Sequence, residues 1–408
     1  MYKRQVATQS LSSFNLDFQG LTVDAITVDH HPAGWSRDAG ELTVTPHRPL
    51  WEGDDFTAVI SYHGVPETIH DDLGVSGFMH TDDGAVVAGQ PDVAATWFPS
   101  NDHPRDAASV SVSATVPEGL EAVSNGALRG QRTRDGWTTW TWRAREPMAA
   151  YLVTLAVGQF DLHAYTAGGV RYWDALDPDL SAPVEGGPPP GEVAAASFAR
   201  QPEIIDWLSS WLGPYPFRTA GGIVDDLPEL QFALETQTRP VYSPLFFTDQ
   251  VNGDLVVVHE VAHQWTGDLL RLDAWQHIWL NEGFATYAEW AWSEHQGQRT
   301  TQQQFDELAA LPADSPLWEV APGDPGPDTD DLFAAGVYQR GAMTLHALRK
   351  QVGDDAFSEI VRAWVATQAG STVTTDEFIA LAEEVSGQQL DELFHTWLFT
   401  AGKPAVLG

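Results

Sequence analysis

Apolar and polar residues alternate with a period of two in several stretches of the first 160 residues. This is the pattern of a strand that buries one face and exposes the other. Residues that favour turns separate the stretches, and a continuous apolar run at 147–160 predicts one more strand. We therefore predict an antiparallel β domain with strands at residues 14–18, 21–28, 41–45, 56–62, 109–116, 137–143 and 147–160.

The second half of the chain changes to apolar residues spaced three and four apart, which indicates helices. Two strands are expected among them, at 222–225 and 230–236, the second at a sheet edge. A segment rich in Pro and Asp, 312–331, predicts a long surface loop. The chain is thus predicted to be α+β, with helices at 193–212, 281–295, 301–311, 336–352, 355–368, 374–386 and 390–400.

The composition narrows the classes of function. The 408 residues include 57 Asp and Glu against 21 Lys and Arg, for a net charge of −36, which disfavours nucleic acid and anionic membranes as partners. The favoured explanation is that the negative charge keeps the protein soluble, and the weaker alternative is that it steers cationic peptide N-termini toward the cleft.

The absence of Cys excludes disulfides and a cysteine zinc ligand. The chain contains no run of about 18 apolar residues, so no membrane span is predicted. The start of the chain lacks the apolar region of a signal peptide, and the compartment stays open between cytoplasmic and secreted.

The most informative stretch is 259–263, which reads HEVAH. Residues i and i+4 share one face of a helix, so His259 and His263 can point at one metal, with Glu260 beside them as a general base. Eighteen residues lie between His263 and Glu282, which begins a second predicted helix and can supply a third ligand. Three protein ligands leave a position for water, as in catalytic zinc sites. The alternative is a surface helix with two solvated histidines.

The surrounding sequence motifs are HQWTGD at 263–268 and WLNEGFATYAE at 279–289. They resemble the zinc core of the aminopeptidase N family of zinc metallopeptidases. This family belongs to the gluzincins and also includes the leukotriene hydrolases. The resemblance implies one Zn²⁺ per chain, held by His259, His263 and Glu282, and Glu260 as the base acting on a zinc-activated water. It implies an N-terminal saddle-like β domain at 1–160, with opening strands missing. A thermolysin-like, mainly helical catalytic domain at 161–408 would follow, without the C-terminal domains of many relatives.

Three further roles follow from the resemblance. Glu235 stands where the family carries Gly-x-Met-Glu-Asn and would bind the substrate's α-ammonium, although Phe232 and Thr236 depart from that pattern. Gln90 would reach the cleft near the same amino end. Tyr338 would donate its hydroxyl to the oxyanion. The structural alternatives are an acidic side chain on the surface of an edge strand, an ordinary loop glutamine and an aromatic side chain packed into the core.

The favoured hypothesis is a monomeric zinc aminopeptidase acting on peptides with a free N-terminus. A zinc endopeptidase is the alternative if Glu235 faces solvent. A catalytically silent peptide-binding fragment is the alternative from a different class. Asp268 and Glu289 are candidates for orienting the two histidines.

Overall fold

The computed structural model describes residues 1–71, 74–182, 186–326 and 328–404. The predicted β-rich first part is confirmed, and the period-two stretches form β3, β6, β7, β11 and β14. The strands are β1 Tyr2–Val6, β2 Phe14–Asp17, β3 Thr22–Val28, β4 His31–Pro32, β5 Gly34–Asp38, β6 Glu41–Thr45, β7 Asp55–His63, β8 Thr68–Asp71, β9 Gly74–His80, β10 Ala85–Ala88, β11 Ala107–Pro117, β12 Glu121–Ser124, β13 Ala127–Arg134, β14 Trp137–Ala149 and β15 Leu155–Gly158.

These strands form separate sheets, in the orders β1-β7-β3-β4, β2-β6-β5, β11-β14-β13 and β12-β15-β10-β9-β8. The period of two explains which faces are buried. In β7, for example, Phe56, Ala58 and Ile60 point into a small core while the residues between them do not. Strand β1, which pairs with β7 in antiparallel register, was not predicted from the sequence.

The prediction of one continuous strand at 147–160 is wrong. Strand β14 ends at Ala149, a 3₁₀ turn occupies Ala150–Leu152, and β15 begins at Leu155 in a different sheet. The run is apolar throughout because the chain is buried on both sides while it crosses from one sheet to the next. Thr154 stabilises the crossing by donating its hydroxyl to the Val87 carbonyl at 2.7 Å.

The second part combines one mixed sheet with helices. Its sheet has the order β16-β17-β18-β20-β19, in which β17, β18 and β20 are parallel and β19 is an antiparallel edge strand. The elements are β16 Asp161–Ala167, β17 Val170–Leu176, α1 Pro190–Phe198, α2 Gln201–Leu212, β18 Thr219–Val224, β19 Ala233–Leu234, β20 Val241–Tyr242, α3 Gln250–Ala262, β21 Arg271–Leu272, α4 Trp279–His295, α5 Thr301–Ala309, α6 Thr329–Leu332, α7 Gly341–Val352, α8 Asp354–Gln368, β22 Thr372–Val373, α9 Thr375–Ser386 and α10 Asp391–Phe394.

Three sequence predictions in this part need correction. The helix predicted at 193–212 is two helices, α1 and α2, because Pro202 has no backbone N–H to continue the hydrogen bonding of α1 and is instead accommodated in the first turn of α2. The edge strand predicted at 230–236 is reduced to β19. The segment 312–331 is not wholly a surface loop, since Leu317 and Trp318 are buried in a 3₁₀ turn; residue 327 lies outside the described residues.

The hydrophobic core is continuous across the predicted domain boundary near residue 160. Trp142 of β14 and Trp173 of β17 belong to one buried cluster, with ring centroids 5.6 Å apart. The α+β class is confirmed, whereas the division at residue 160 stays a prediction. Among the described residues, no helix is both long and apolar enough to cross a membrane.

Candidate metal centre

Helix α3 presents the two histidines from its last turn. The Asp249 side chain caps the helix N-terminus by accepting hydrogen bonds from the backbone of Val251 and Asn252, at 2.8 and 3.0 Å. Four valines of α3 are buried in the main core and fix the rotation of the helix, namely Val256, Val257, Val258 and Val261. As a result, His263, at the helix end, is 1% exposed, and His259 is largely buried. The alternative of two solvated histidines is therefore wrong.

Helix α4 brings Glu282 to the same place from its first turn. The first turn of α4 packs closely against α7. A Cβ on Gly283 would lie only 2.9 Å from the backbone of Gly341. Any larger residue at either position would push the two helices apart. The glycine after Glu282 thus has a packing reason to be glycine.

Three ligand atoms converge as the spacing predicted. Glu282 Oε2 lies 3.3 Å from His259 Nε2 and 3.3 Å from His263 Nε2. The three groups can each place one ligand atom within 4.8 Å of the others. Two imidazole nitrogens and a carboxylate oxygen are a donor set that suits zinc, and a fourth position is left for water or substrate.

The outer ring nitrogens of both histidines have partners of their own. His259 Nδ1 lies 2.7 Å from Glu289 Oε1, and His263 Nδ1 lies 3.0 Å from the Thr266 carbonyl oxygen. Such contacts orient the imidazoles and leave both Nε2 atoms facing the site. The hypothesis for Glu289 agrees with this contact. The hypothesis for Asp268 is wrong, because its carboxylate bonds to neither histidine and only its backbone N–H meets the His263 carbonyl, at 3.0 Å.

Burial and charge compete in this cluster. Burial alone would raise the pKa of Glu282, but the two histidines outweigh it and hold that pKa below its usual value. Burial alone would lower the pKa of His263, but Glu282 and Glu235 raise it to about 9. Burial raises the pKa of Glu260 to about 8, although both histidines oppose the rise. The pKa of each of these groups is therefore set by competition between burial and the neighbouring charges.

Glu235 and Glu260 face each other across the same site. Glu260, Glu235 and His263 can bring one ligand atom each within 4.8 Å. Glu235 follows β19 directly and is 1% exposed, so the alternative of a surface acid is wrong. Tyr151 donates its hydroxyl to Glu235 Oε1 at 2.9 Å.

Gln264 connects the metal helix to the segment that carries Glu235. Its side-chain N–H donates to the Glu235 carbonyl at 3.1 Å, and its side-chain oxygen accepts from the Thr238 N–H at 2.7 Å. Neither Gln264 nor Tyr151 was predicted to have a role. Gln264 belongs to the HQWTGD motif, which is a signal for it, whereas Tyr151 lies in an apolar run that gives no such signal.

Tyr338 and Gln90 also reach the site. Tyr338 lies in a π-helical turn, Gly336–Arg340, before α7, and its ring stacks at 6.2 Å from that of His259. Gln90 has a buried side-chain oxygen without a hydrogen-bond partner among the described residues. All the predicted site residues line one cavity of about 450 Å³. Its walls are formed by Gln90, Gln231, Phe232, Ala233, Glu235, Leu245, Phe246, Thr248, Asn252, Leu255, Val256, His259, Glu260, His263, Glu282, Glu289 and Tyr338.

Comparison with known proteins agrees with this arrangement. The sequence matches the Peptidase M1 N-terminal domain over residues 5–152 and the Peptidase family M1 domain over residues 246–397. A solved M1 zinc metallopeptidase from Deinococcus radiodurans is 30% identical and superimposes with a TM-score of 0.83, covering 100% of this chain and 91% of that one. A mutant from the same organism was solved with a Tyr-Ser-Ala substrate, at 29% identity and a TM-score of 0.85.

Longer relatives are also similar. Aminopeptidase M1-A of Oryza sativa subsp. japonica is 27% identical over 394 residues, which are 88% of this chain and 42% of that protein. Glutamyl aminopeptidase of Rattus norvegicus is 25% identical over 361 residues, covering 82% of this chain and 37% of that protein. The chain thus spans about two fifths of the length of these curated relatives.

Proposed function

The chain belongs to peptidase family M1, and on that premise we propose that it is a zinc aminopeptidase that removes residues from the N-termini of peptides. One observation carries the proposal. A His/His/Glu donor set, with Glu282 Oε2 at 3.3 Å from both imidazoles, opens into the cavity that also holds the buried carboxylates of Glu260 and Glu235. The first three groups suit a zinc ion, and the other two suit a proton acceptor and an anchor for an ammonium group.

The zinc cofactor of the family fits the residues present. His259, His263 and Glu282 would hold the ion, and Glu289 and the Thr266 carbonyl keep the imidazoles in the required orientation. Bound zinc supplies a Lewis acid that polarises the scissile carbonyl and makes water a better nucleophile.

Glu260 is the general base in this proposal. It is 4% exposed and points into the cavity beside both histidines without being part of the His/His/Glu set. Its carboxylate accepts a proton from the attacking water and delivers it to the leaving amine. Burial favours that role, because a carboxylate with a raised pKa holds a proton long enough to pass it on.

Glu235 is the anchor for the substrate's free N-terminus. A carboxylate that is buried has lost its hydration, and a substrate ammonium restores a charged partner. The Tyr151 hydroxyl, 2.9 Å from Oε1, fixes the orientation of Glu235. The unpaired side-chain oxygen of Gln90 offers the ammonium a second acceptor. An interior peptide segment has no ammonium, so it would leave Glu235 buried without a counter-charge.

Tyr338 is the donor to the oxyanion that forms at the scissile carbonyl. The proposal is supported by the Tyr338 ring, which lies 6.2 Å from that of His259, and by its side chain, which lines the cavity. A preorganised donor of this kind contributes about a hundred- to a thousandfold to the rate.

The cavity also suggests which N-terminal side chains are accepted. Leu245, Phe246, Leu255 and Val256 give it an apolar wall, and no Lys or Arg is among its described lining residues. An acidic N-terminal side chain would meet carboxylates without a counter-charge, so we propose that apolar N-terminal residues are preferred over acidic ones. The monomeric state stays a prediction from the sequence.

The test compares a peptide with its N-acetylated twin, using zinc-loaded protein and following all cleavage products by mass spectrometry. The aminopeptidase proposal requires turnover of the free-amine peptide and a loss of at least about a hundredfold on acetylation. Equal rates would favour an endopeptidase. Bound zinc without turnover on either peptide would favour the silent binding fragment. Glu260→Gln serves as the control, since it should keep zinc and lose turnover.

A further inference from the structure

A second cavity, of about 350 Å³, lies between the β13–β14 hairpin and the start of β17 and β18. It shares no lining residue with the cavity of the candidate metal centre. Its walls carry a concentration of arginine, although the whole chain has 21 Lys and Arg against 57 Asp and Glu. The arginines that line it are Arg129, Arg143, Arg145, Arg171 and Arg218. We call this cavity the arginine pocket.

The fold, rather than proximity in the sequence, gathers these side chains. Arg143 and Arg145 are two residues apart on β14 and therefore share a face of that strand. Arg171 lies in β17, and Arg218 directly precedes the parallel strand β18. The Arg171 N–H donates to the Arg218 carbonyl at 3.0 Å. The hairpin and the mixed sheet thus each contribute guanidinium groups to one space.

None of the arginines that line the pocket has an acidic partner among the described residues. The arginine–carboxylate pairs within 4.0 Å involve other arginines, namely Arg4, Arg105, Arg134, Arg200, Arg299 and Arg349. Within the described part of the chain, Glu146 is the one acidic residue that lines the pocket, and it is not paired with any of the five arginines. The numerous acids elsewhere are screened, because the Debye length is about 8 Å at physiological ionic strength.

Trp173 forms the floor of the pocket. Packing and hydrogen bonds hold this floor in place, and a positively charged side chain lies beneath it. Trp173 is 3% exposed, and the Arg171 guanidinium lies 4.6 Å from the centre of its ring. Beneath it, the fully buried Arg239 donates to the Trp173 carbonyl and, at 3.0 Å, to the Gly126 carbonyl. The guanidinium groups therefore stand over a floor that packing and hydrogen bonds hold in place.

We propose that the arginine pocket binds a small anion that carries several phosphate groups. Guanidinium groups form paired hydrogen bonds with phosphate oxygens, and a charge cluster of this size exceeds what one carboxylate or one phosphate needs. The volume lies in the range of small-molecule sites. The proposal is independent of the peptidase site, because no residue is common to both cavities.

The test is calorimetric titration of the intact protein with inorganic triphosphate at physiological ionic strength, where the acids elsewhere on the chain are screened. The native protein should bind one triphosphate per chain, more weakly as salt is added. Arg143→Gln combined with Arg218→Gln should weaken binding at least about tenfold. The matched control is Arg48→Gln combined with Arg132→Gln, which removes the same charge from exposed arginines outside the pocket and should change affinity less than about twofold.

Absence of saturable binding, or equal weakening in the two double variants, would overturn the proposal. Citrate, whose negative charge is on carboxylates, is the comparison ligand for triphosphate. If it binds as tightly as triphosphate, the assignment to phosphate is overturned. Thermal unfolding without ligand checks that both double variants are folded. If the pocket variant is not, the single variants Arg143→Gln and Arg145→Gln replace it, and each should weaken binding about threefold.

Discussion

The two cavities of this protein place opposite charges in opposite surroundings. The cavity at the metal centre is lined by Glu235, Glu260, Glu282 and Glu289, and no Lys or Arg is among its described lining residues. The arginine pocket is lined by five arginines and one glutamate, and the arginine side chains are exposed. In the first cavity charge is buried and held by specific hydrogen bonds, whereas in the second it is solvated and acts through a local field.

This difference determines what each cavity can recognise. A buried carboxylate loses hydration, so a change to one partner atom alters its energy strongly. Exposed arginines keep their hydration, so each contributes little and several must act together. We therefore expect large effects of single substitutions at the metal centre and small, salt-dependent effects in the arginine pocket.

The two cavities are connected through one short segment. Glu235 lines the first cavity. Two and three residues later, Gln237 donates to the Glu146 carbonyl at 3.2 Å and Thr238 Oγ1 accepts from the Gly126 N–H at 2.8 Å. Gly126 and Glu146 line the arginine pocket. A change at either cavity should therefore be checked for an effect at the other.

The largest expected effect is the loss of the metal. Glu282→Ala removes a ligand atom from a three-residue donor set, so we expect bound zinc to fall from about one per chain to near zero and turnover to fall at least about a thousandfold. Elemental analysis after dialysis, together with release of N-terminal residues, measures both. Glu359→Ala, an exposed acid on α8, is the control and should change neither quantity.

No Lys or Arg is among the described lining residues of the first cavity, which leads to the next prediction. Leucyl-anilide should be hydrolysed with a kcat/KM at least about a hundredfold above that of glutamyl-anilide, because an acidic side chain meets like charge there. Equal values for the two substrates would mean that the carboxylates of the cavity do not contribute to specificity. Raising the ionic strength should narrow the difference little, since buried charges are screened weakly.

Removing the carboxylate that orients a histidine should have an intermediate effect. Glu289→Gln weakens the contact with His259 Nδ1, now 2.7 Å, and we expect zinc affinity to fall about ten- to a hundredfold. Competition with a zinc chelator measures the affinity. If affinity is unchanged, Glu289 packs beside the histidine without orienting it.

The anchor for the substrate's amino group offers a smaller test. Tyr151→Phe removes the hydrogen bond to Glu235, so kcat/KM for free-amine peptides should fall about tenfold while zinc content stays the same. Tyr165→Phe is the control. Its hydroxyl bonds to the Phe198 carbonyl, at 3.3 Å, outside either cavity, and its loss should leave kcat/KM unchanged.

The smallest effect is expected in the arginine pocket. Arg145→Gln relieves repulsion among exposed like charges, so the thermal unfolding midpoint at low salt should rise by about 1 °C or less and the gain should vanish at high salt. Differential scanning fluorimetry at two salt concentrations measures it. A clear fall in the midpoint would show that Arg145 makes a stabilising contact.

Much of the fold was predictable because its signals are local. The period-two stretches became strands, and the helices of the second half appeared close to their predicted positions. The wrong predictions lie at two kinds of place. At Ala150–Leu152 the chain is buried on both sides while it passes from one sheet to the next, so the apolar pattern does not show the break. At Pro202 a proline begins a new helix within a continuous helical pattern.

The sequence by itself determined most of the secondary structure and the two histidines of the donor set, because the four-residue spacing of His259 and His263 places both on one helical face. Only the tertiary structure decided that the Thr266 carbonyl, and not the Asp268 carboxylate, contacts the His263 imidazole. It also decided that Tyr151 meets Glu235 and that the arginines gather in one pocket. Those contacts join residues through a turn geometry or across different sheets, and the packing of distant elements determines them.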